Sequence, residues 1–117
     1  MAAERDCLFC RIVRREAPGT VVYEDDRVVA FDDIHPKAPV HVLIIPRRHI
    51  PTLLDLDEAD RDLAGHLLLV ANRIARARGI DGRGFRLVAN CNVDGGQVVF
   101  HLHLHLLGGK PLRWSPG

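Results

Sequence analysis

The sequence is short of several things, and each shortage narrows what the protein can be. Charge of one sign is missing: 16 Lys and Arg stand against 15 Asp and Glu, leaving +1. The basic residues are dispersed and form no block, so a nucleic-acid partner bound through a basic face is not expected. Long apolar runs are absent as well. Val40 to Ile45, broken by His41, and Leu67 to Ala71 fall far below the ~20 residues of a membrane span, so no membrane partner is expected. MAAERDCLFC carries charges where a signal peptide needs an apolar stretch, and a cytoplasmic location is the expectation. Cysteine is scarce. Cys7, Cys10 and Cys91 are an odd, sparse set that does not make a secreted disulfide framework. Internal repeats, low-complexity tracts and linkers are also missing.

What is present fits one domain over residues 1–117, with 47% hydrophobic and 26% charged residues. A chain this small buries a limited share of its surface, so a metal staple or a subunit partner would add useful stability. Cys7 and Cys10 form a CxxC pair, which in a reducing compartment suits metal binding or redox chemistry.

Hydrophobic spacing and turn residues set out the elements. Asp6 is placed to cap a short helix through CLFCRIVRRE, with Leu8, Phe9, Ile12 and Val13 on one side and Pro18 and Gly19 as its stop. VVYE and RVVAFDD read as a hairpin, IHPKAP as a loop, and HVLIIP as a strand buried on both faces. Asp55 and Glu58 open a long amphipathic helix in which Leu63, Leu67, Val70, Ile74 and Ala77 share a face, and Gly79 closes it. RLVANC and VVFHLHLHLL then read as two strands. With no strand-helix-strand repeat, the expected fold is α+β: a five-stranded antiparallel sheet with one short N-terminal helix and one long helix.

In HLHLHLL, side chains alternate between strand faces, so His101, His103 and His105 project to one side and Leu102, Leu104 and Leu106 to the other. Histidine supplies only 7 of 117 residues, so three in consecutive outward positions point to chemistry. Two uses are open: a metal site, or phosphoryl transfer with a nucleophile and proton-handling neighbours. Alternate strand residues lie roughly 6–7 Å apart, which favours separate roles over three ligands to one ion.

HLHLHLLGGKPLRWSPG resembles the signature of the histidine triad family, in particular its nucleotide-binding phosphoramidase branch. DCLFCRIV, YEDDRVVAFDDIHPKAPVHVLIIPRRHI and VANCNVDGGQ extend the resemblance over nearly the whole chain, in order. The resemblance implies a HIT-like fold and cleavage of AMP or GMP from amine-type leaving groups. His103 would be the nucleophile that forms a nucleotidyl-histidine, His105 its phosphate-side neighbour, and His41 a partner that helps fix the reactive tautomer of His103. It further implies that Asp33 holds the ribose hydroxyls, that Phe9, Phe31, Ile34 and Leu43 enclose the base, and that Asn90 and Gln97 lie near ribose and phosphate. Val98 stands where many family members have serine.

Cys7, Cys10, His49 and His101 match a structural zinc-site pattern of some members of the superfamily, a donor set that closes a tetrahedral site. The resemblance implies a homodimer paired through the main helix and a strand, with Trp114 near the partner's site. The alternatives are a dinucleoside polyphosphate hydrolase, a nucleotide-binding scaffold with little turnover, and a zinc-dependent hydrolase.

Overall fold

A computed structural model describes residues 7–114. The order is α1 (Leu8–Val13), β1 (Val21–Glu24), β2 (Val28–Asp32), β3 (Val40–Pro46), α2 (Arg61–Ala77), β4 (Phe85–Val88) and β5 (Leu104–Gly108). The strands form one antiparallel sheet in the order β1-β2-β3-β5-β4, as the α+β reading requires. β3 is central and buried almost throughout, which explains its unbroken apolar run.

The pleat divides the core in two. Val28, Ala30, Val42, Ile44, Leu104 and Leu106 face Leu67, Val70, Ala71, Ile74 and Ala75 of α2. Val29, Phe31, Leu43 and Ile45 face Phe9, Cys10 and Ile12 of α1. Ala75 takes the inward place expected of Ala77, which is exposed. The cap of α1 among the described residues is Cys7, whose sulfur accepts the Cys10 N–H at 3.3 Å; Asp6 lies outside the described residues.

α2 begins later than Asp55 and Glu58 suggest. Two 3-10 turns precede it, each with its own capping box: Thr52 with Asp55, and Asp57 with Asp60. The Asp55 carboxylate accepts from the Thr52 N–H and hydroxyl, so it closes the first turn and does not start the helix. At the other end Gly79 adopts φ +72°, and the Gly79 and Ile80 N–H groups return to the Arg76 and Ala75 carbonyls. Among the described residues no helix is long and apolar enough to cross a membrane.

The last strand is also shorter than its pattern. Ile44↔Leu104 ends the pairing of β5 with β3, and Val88↔His105 ends its pairing with β4. Beyond Ile44 the β3 chain reaches Pro46, which has no N–H to extend a ladder. His101 and His103 therefore stand on an extended segment outside the sheet, where the Leu102 N–H bonds the Ile50 carbonyl at 2.6 Å. The alternation survives: Leu102 joins the α2-side core, while the rings of His101 and His103 pack edge-on against Phe9.

Candidate active site

Register fixes the floor of the site. Phe31 pairs with Leu43 and Leu43 with His105, so the three form one cross-strand row on the α1 side. One step along the strands, the Asp33 N–H bonds the His41 carbonyl at 2.9 Å, which brings Asp33 beside His41. Above this floor opens a cavity of about 770 Å³ whose wall includes Phe9, Phe31, Leu43, Asp33, His103 and His105. That is the size of an ordinary small-ligand site.

Hydrogen bonds determine which ring nitrogen carries each proton. His41 Nδ1 accepts the Lys37 backbone N–H at 3.0 Å, so the His41 proton sits on Nε2. That nitrogen lies 2.9 Å from His105 Nδ1 and 3.4 Å from an Asp33 oxygen, and it donates to His105. His105 thus keeps its own proton on Nε2. His103 Nδ1 lies 2.7 Å from the His101 carbonyl oxygen, which can only accept; the His103 Nε2 lone pair is left unprotonated. His41 therefore sets the tautomer of His105, whereas that of His103 is set by the backbone of His101.

Burial keeps these rings neutral. It pushes His41 and His103 below the ordinary histidine value, and burial together with the neighbouring rings of His103 and His41 pushes His105 down to about 4. An uncharged imidazole with a free lone pair sits next to one with a free N–H, their centroids 5.0 Å apart. This arrangement can attack an electrophile and hydrogen-bond the groups around it.

Other expected residues divide. Phe9 and Phe31 meet edge to face at 5.3 Å, and Ile34, 80% exposed, stands on the cavity wall. Asn90 also lines the cavity, with its Nδ2 donating to the Gly95 carbonyl at 2.6 Å. Gln97 does not reach the wall. It is buried, its Oε1 accepts the Asn92 N–H, and its Nε2 donates to the carbonyls of Pro51 and Val99, so it braces the loop. Asp32 pairs with Arg78 at 3.0 Å. Cys91 falls past the end of β4 and is free. Sequence reasoning missed the Lys37 N–H and the His101 carbonyl, because backbone donors and acceptors have no residue signature.

Cys7, Cys10, His49 and His101 place one ligand atom each within 4.8 Å of one another, close enough to hold a metal ion. Cys10 Sγ is 3.1 Å from His49 Nδ1 and 3.3 Å from His101 Nδ1, and Cys7 Sγ is 3.4 Å from His101 Nδ1. Metal–sulfur and metal–nitrogen bonds of about 2.3 and 2.0 Å give tetrahedral S···N edges of about 3.5 Å, so the donors fit with little movement. His101 Nε2 donates to the Pro46 carbonyl at 2.7 Å, which turns the Nδ1 lone pair to the thiols. Asp33, His41 and His105 also cluster, but there the His41 proton occupies the nitrogen a metal would need.

Comparison with known proteins agrees with this geometry. The HIT domain family matches residues 14–112. An uncharacterized HIT-like protein of Synechocystis is 53% identical over 96% of this chain and 97% of its own. The crystal structure of a HIT family hydrolase from Legionella pneumophila is 50% identical, with a TM-score of 0.93 over 95% of this chain and 99% of that one. A zinc-bound histidine triad family protein of Mycobacterium smegmatis is 34% identical, with a TM-score of 0.79 over 92% and 78% of the two chains.

Proposed function

The chain belongs to the HIT family, and on that footing we propose that it is a purine nucleoside phosphoramidase, a hydrolase that cleaves AMP or GMP from amine-type leaving groups through a nucleotidyl-histidine. The observation that carries the proposal is the 2.7 Å bond from His103 Nδ1–H to the His101 carbonyl, which leaves Nε2 as the nucleophile inside a nucleotide-sized cavity. His103 Nε2 bonds to the α-phosphorus and the P–N bond breaks, its electron pair staying with nitrogen. The amine leaves with one proton drawn from water through His105 Nε2–H. A water oxygen then bonds to phosphorus, the P–Nε2 bond breaks, and the water's second proton returns to solvent. Splitting one displacement into two lowers each barrier.

The row Phe31–Leu43–His105 orients the nucleotide: the base lies between the apolar wall and Phe9, the phosphorus at the histidines, and the ribose hydroxyls at Asp33, whose second oxygen already accepts the His35 N–H. Hydrolysis of dinucleoside polyphosphates is less well served. Among the described residues Lys37 is the only lysine or arginine on the cavity wall, so a chain of several phosphates would meet a single cation.

The metal is zinc in this reading, held by Cys7, Cys10, His49 and His101; its contribution is structural, a cross-link between α1 and the segment before β5. The protein works as a homodimer in the cytoplasm. β4 is an edge strand, and Leu68 and Leu69 of α2 are 52% and 57% exposed, which suits pairing with a second copy. A monomeric mass by sedimentation at micromolar concentration would contradict the dimer. Single turnover of a labelled adenosine phosphoramidate, quenched in alkaline denaturant where the acid-labile P–N bond survives, tests the chemistry: label is expected on His103, and its absence at every time point while free AMP forms would refute the mechanism.

A further inference from the structure

The cavity wall beyond the histidines is built unlike the rest. The row Phe31, Leu43, His105, Val88 runs from β2 to β4, so the side away from Phe31 belongs to β4 and to residues 89–100, which follow it. With the base at Phe31 and the phosphorus at the histidines, the leaving group extends toward this loop.

The loop turns the amide of Gln97 inward. Gln97 makes hydrogen bonds with the Asn92 N–H and with the Pro51 and Val99 carbonyls, and Asn90 donates to Gly95. The Gly96 and Gln97 N–H groups bond the Val93 and Asn92 carbonyls, so the loop is braced from within. Val98 and Val99 line the cavity together with Asn90, and Val98 is 86% exposed there. The only charged residue among 89–100 is Asp94, an acid. An apolar side chain held in water on the wall of the same cavity as the imidazoles gains when an apolar group covers it, and an anion set against it would lose hydration without a partner.

We infer that Val98 selects for an uncharged, apolar leaving group, an alkyl or aryl amine, over polar and anionic ones. This rests on the nucleotidyl-transfer reading of the site. The leaving group meets Val98 through contact alone, since a valine side chain offers no hydrogen bond.

The test is a set of adenosine 5′-phosphoramidates of n-pentylamine, 4-aminobutanol and 4-aminobutyrate, assayed with the wild type and Val98→Ser. The wild type is expected to favour pentylamine over aminobutyrate by about tenfold in kcat/KM, and Val98→Ser to reduce the pentylamine-to-aminobutanol ratio by about threefold with AMP affinity unchanged. Equal kcat/KM for the three amines, or ratios identical in Val98→Ser, would overturn the role of Val98 and leave the nucleotidyl reading standing. Failure to cleave any of the three, with no AMP bound, would overturn that reading and this inference with it.

Discussion

The carbonyl oxygen of His101 accepts the Nδ1–H of His103 at 2.7 Å, while the ring of the same His101 points its Nδ1 at both Cys7 and Cys10. His101 thus belongs to two sites through different atoms: backbone to the nucleophile, side chain to the thiols. Because the tautomer of His103 depends on a backbone atom, disruption of the thiol site should cost stability more than chemistry. Cys7→Ala with Cys10→Ala is expected to lose bound zinc by atomic absorption and to lower Tm by more than about 5 °C, with kcat within about tenfold of wild type. Full retention of zinc would sink the ligand assignment.

Replacing the nucleophile separates binding from turnover. His103→Asn is expected to reduce kcat by at least about 10⁴-fold and to hold AMP within about threefold of the wild-type Kd by calorimetry. Turnover at the wild-type rate would exclude His103 as the attacking group.

His41 acts through His105. His41→Ala removes the donor that keeps the His105 proton on Nε2, and kcat should fall about 10- to 100-fold with KM little changed. A change in KM alone would mean that His41 serves binding and not proton placement.

Acid should unfold the protein in two stages. His105 titrates near 4 in the fold against an ordinary 6.5, so below pH 6.5 the unfolded chain binds more protons and stability declines from 6.5 toward 4. Asp25 is opposite in kind: burial resists its charge, but the N–H groups of Arg27 and Val28, His66 and the Tyr23 hydroxyl outweigh that and hold it well below the usual carboxylate value. Its contribution is complete above about pH 4 and disappears as pH falls further. Tm measured from pH 8 to 3 should be flat above 6.5; a steady rise on acidification would contradict both groups.

The Asp25 centre also joins β1, β2 and α2, since His66 is 2.6 Å away and Arg73 reaches Tyr23 at 2.9 Å. Asp25→Ala leaves His66, the Tyr23 hydroxyl and the Arg27 and Val28 N–H groups without their acceptor and is expected to destabilise by about 2 kcal/mol in urea, without altering kcat.

Patterns that repeat were legible in the sequence, and single backbone atoms were not. The element order, the faces of β3 and most of the α2 face follow from apolar spacing. The start of α2 was not readable, because the capping signals of Asp55 and Glu58 belong to two consecutive short turns that look like one helix start. The limit of β5 depends on where β3 runs into Pro46, a neighbour distant in sequence. Phe9, Phe31, Leu43, Asp33 and Asn90 meet at one cavity; Gln97 braces the loop beside it, and nothing in the sequence tells an amide that braces a loop from one that meets a ligand. The tautomers follow from the Lys37 N–H and the His101 carbonyl, which only coordinates reveal.

The alternation of histidine and leucine in residues 101–106 carries two messages in the same letters. Shifting β5 by one residue against β3 would send His105 into the packing layer beneath α2 and set a leucine in its place at the cavity. Parity is therefore inherited along with chemistry: a shift of two residues keeps leucine beneath α2 but displaces each histidine from its role, whereas a shift of one erases the core and the reaction together. Deletion scanning of this stretch should give even-numbered variants that fold but lose turnover, and odd-numbered ones that fail to fold.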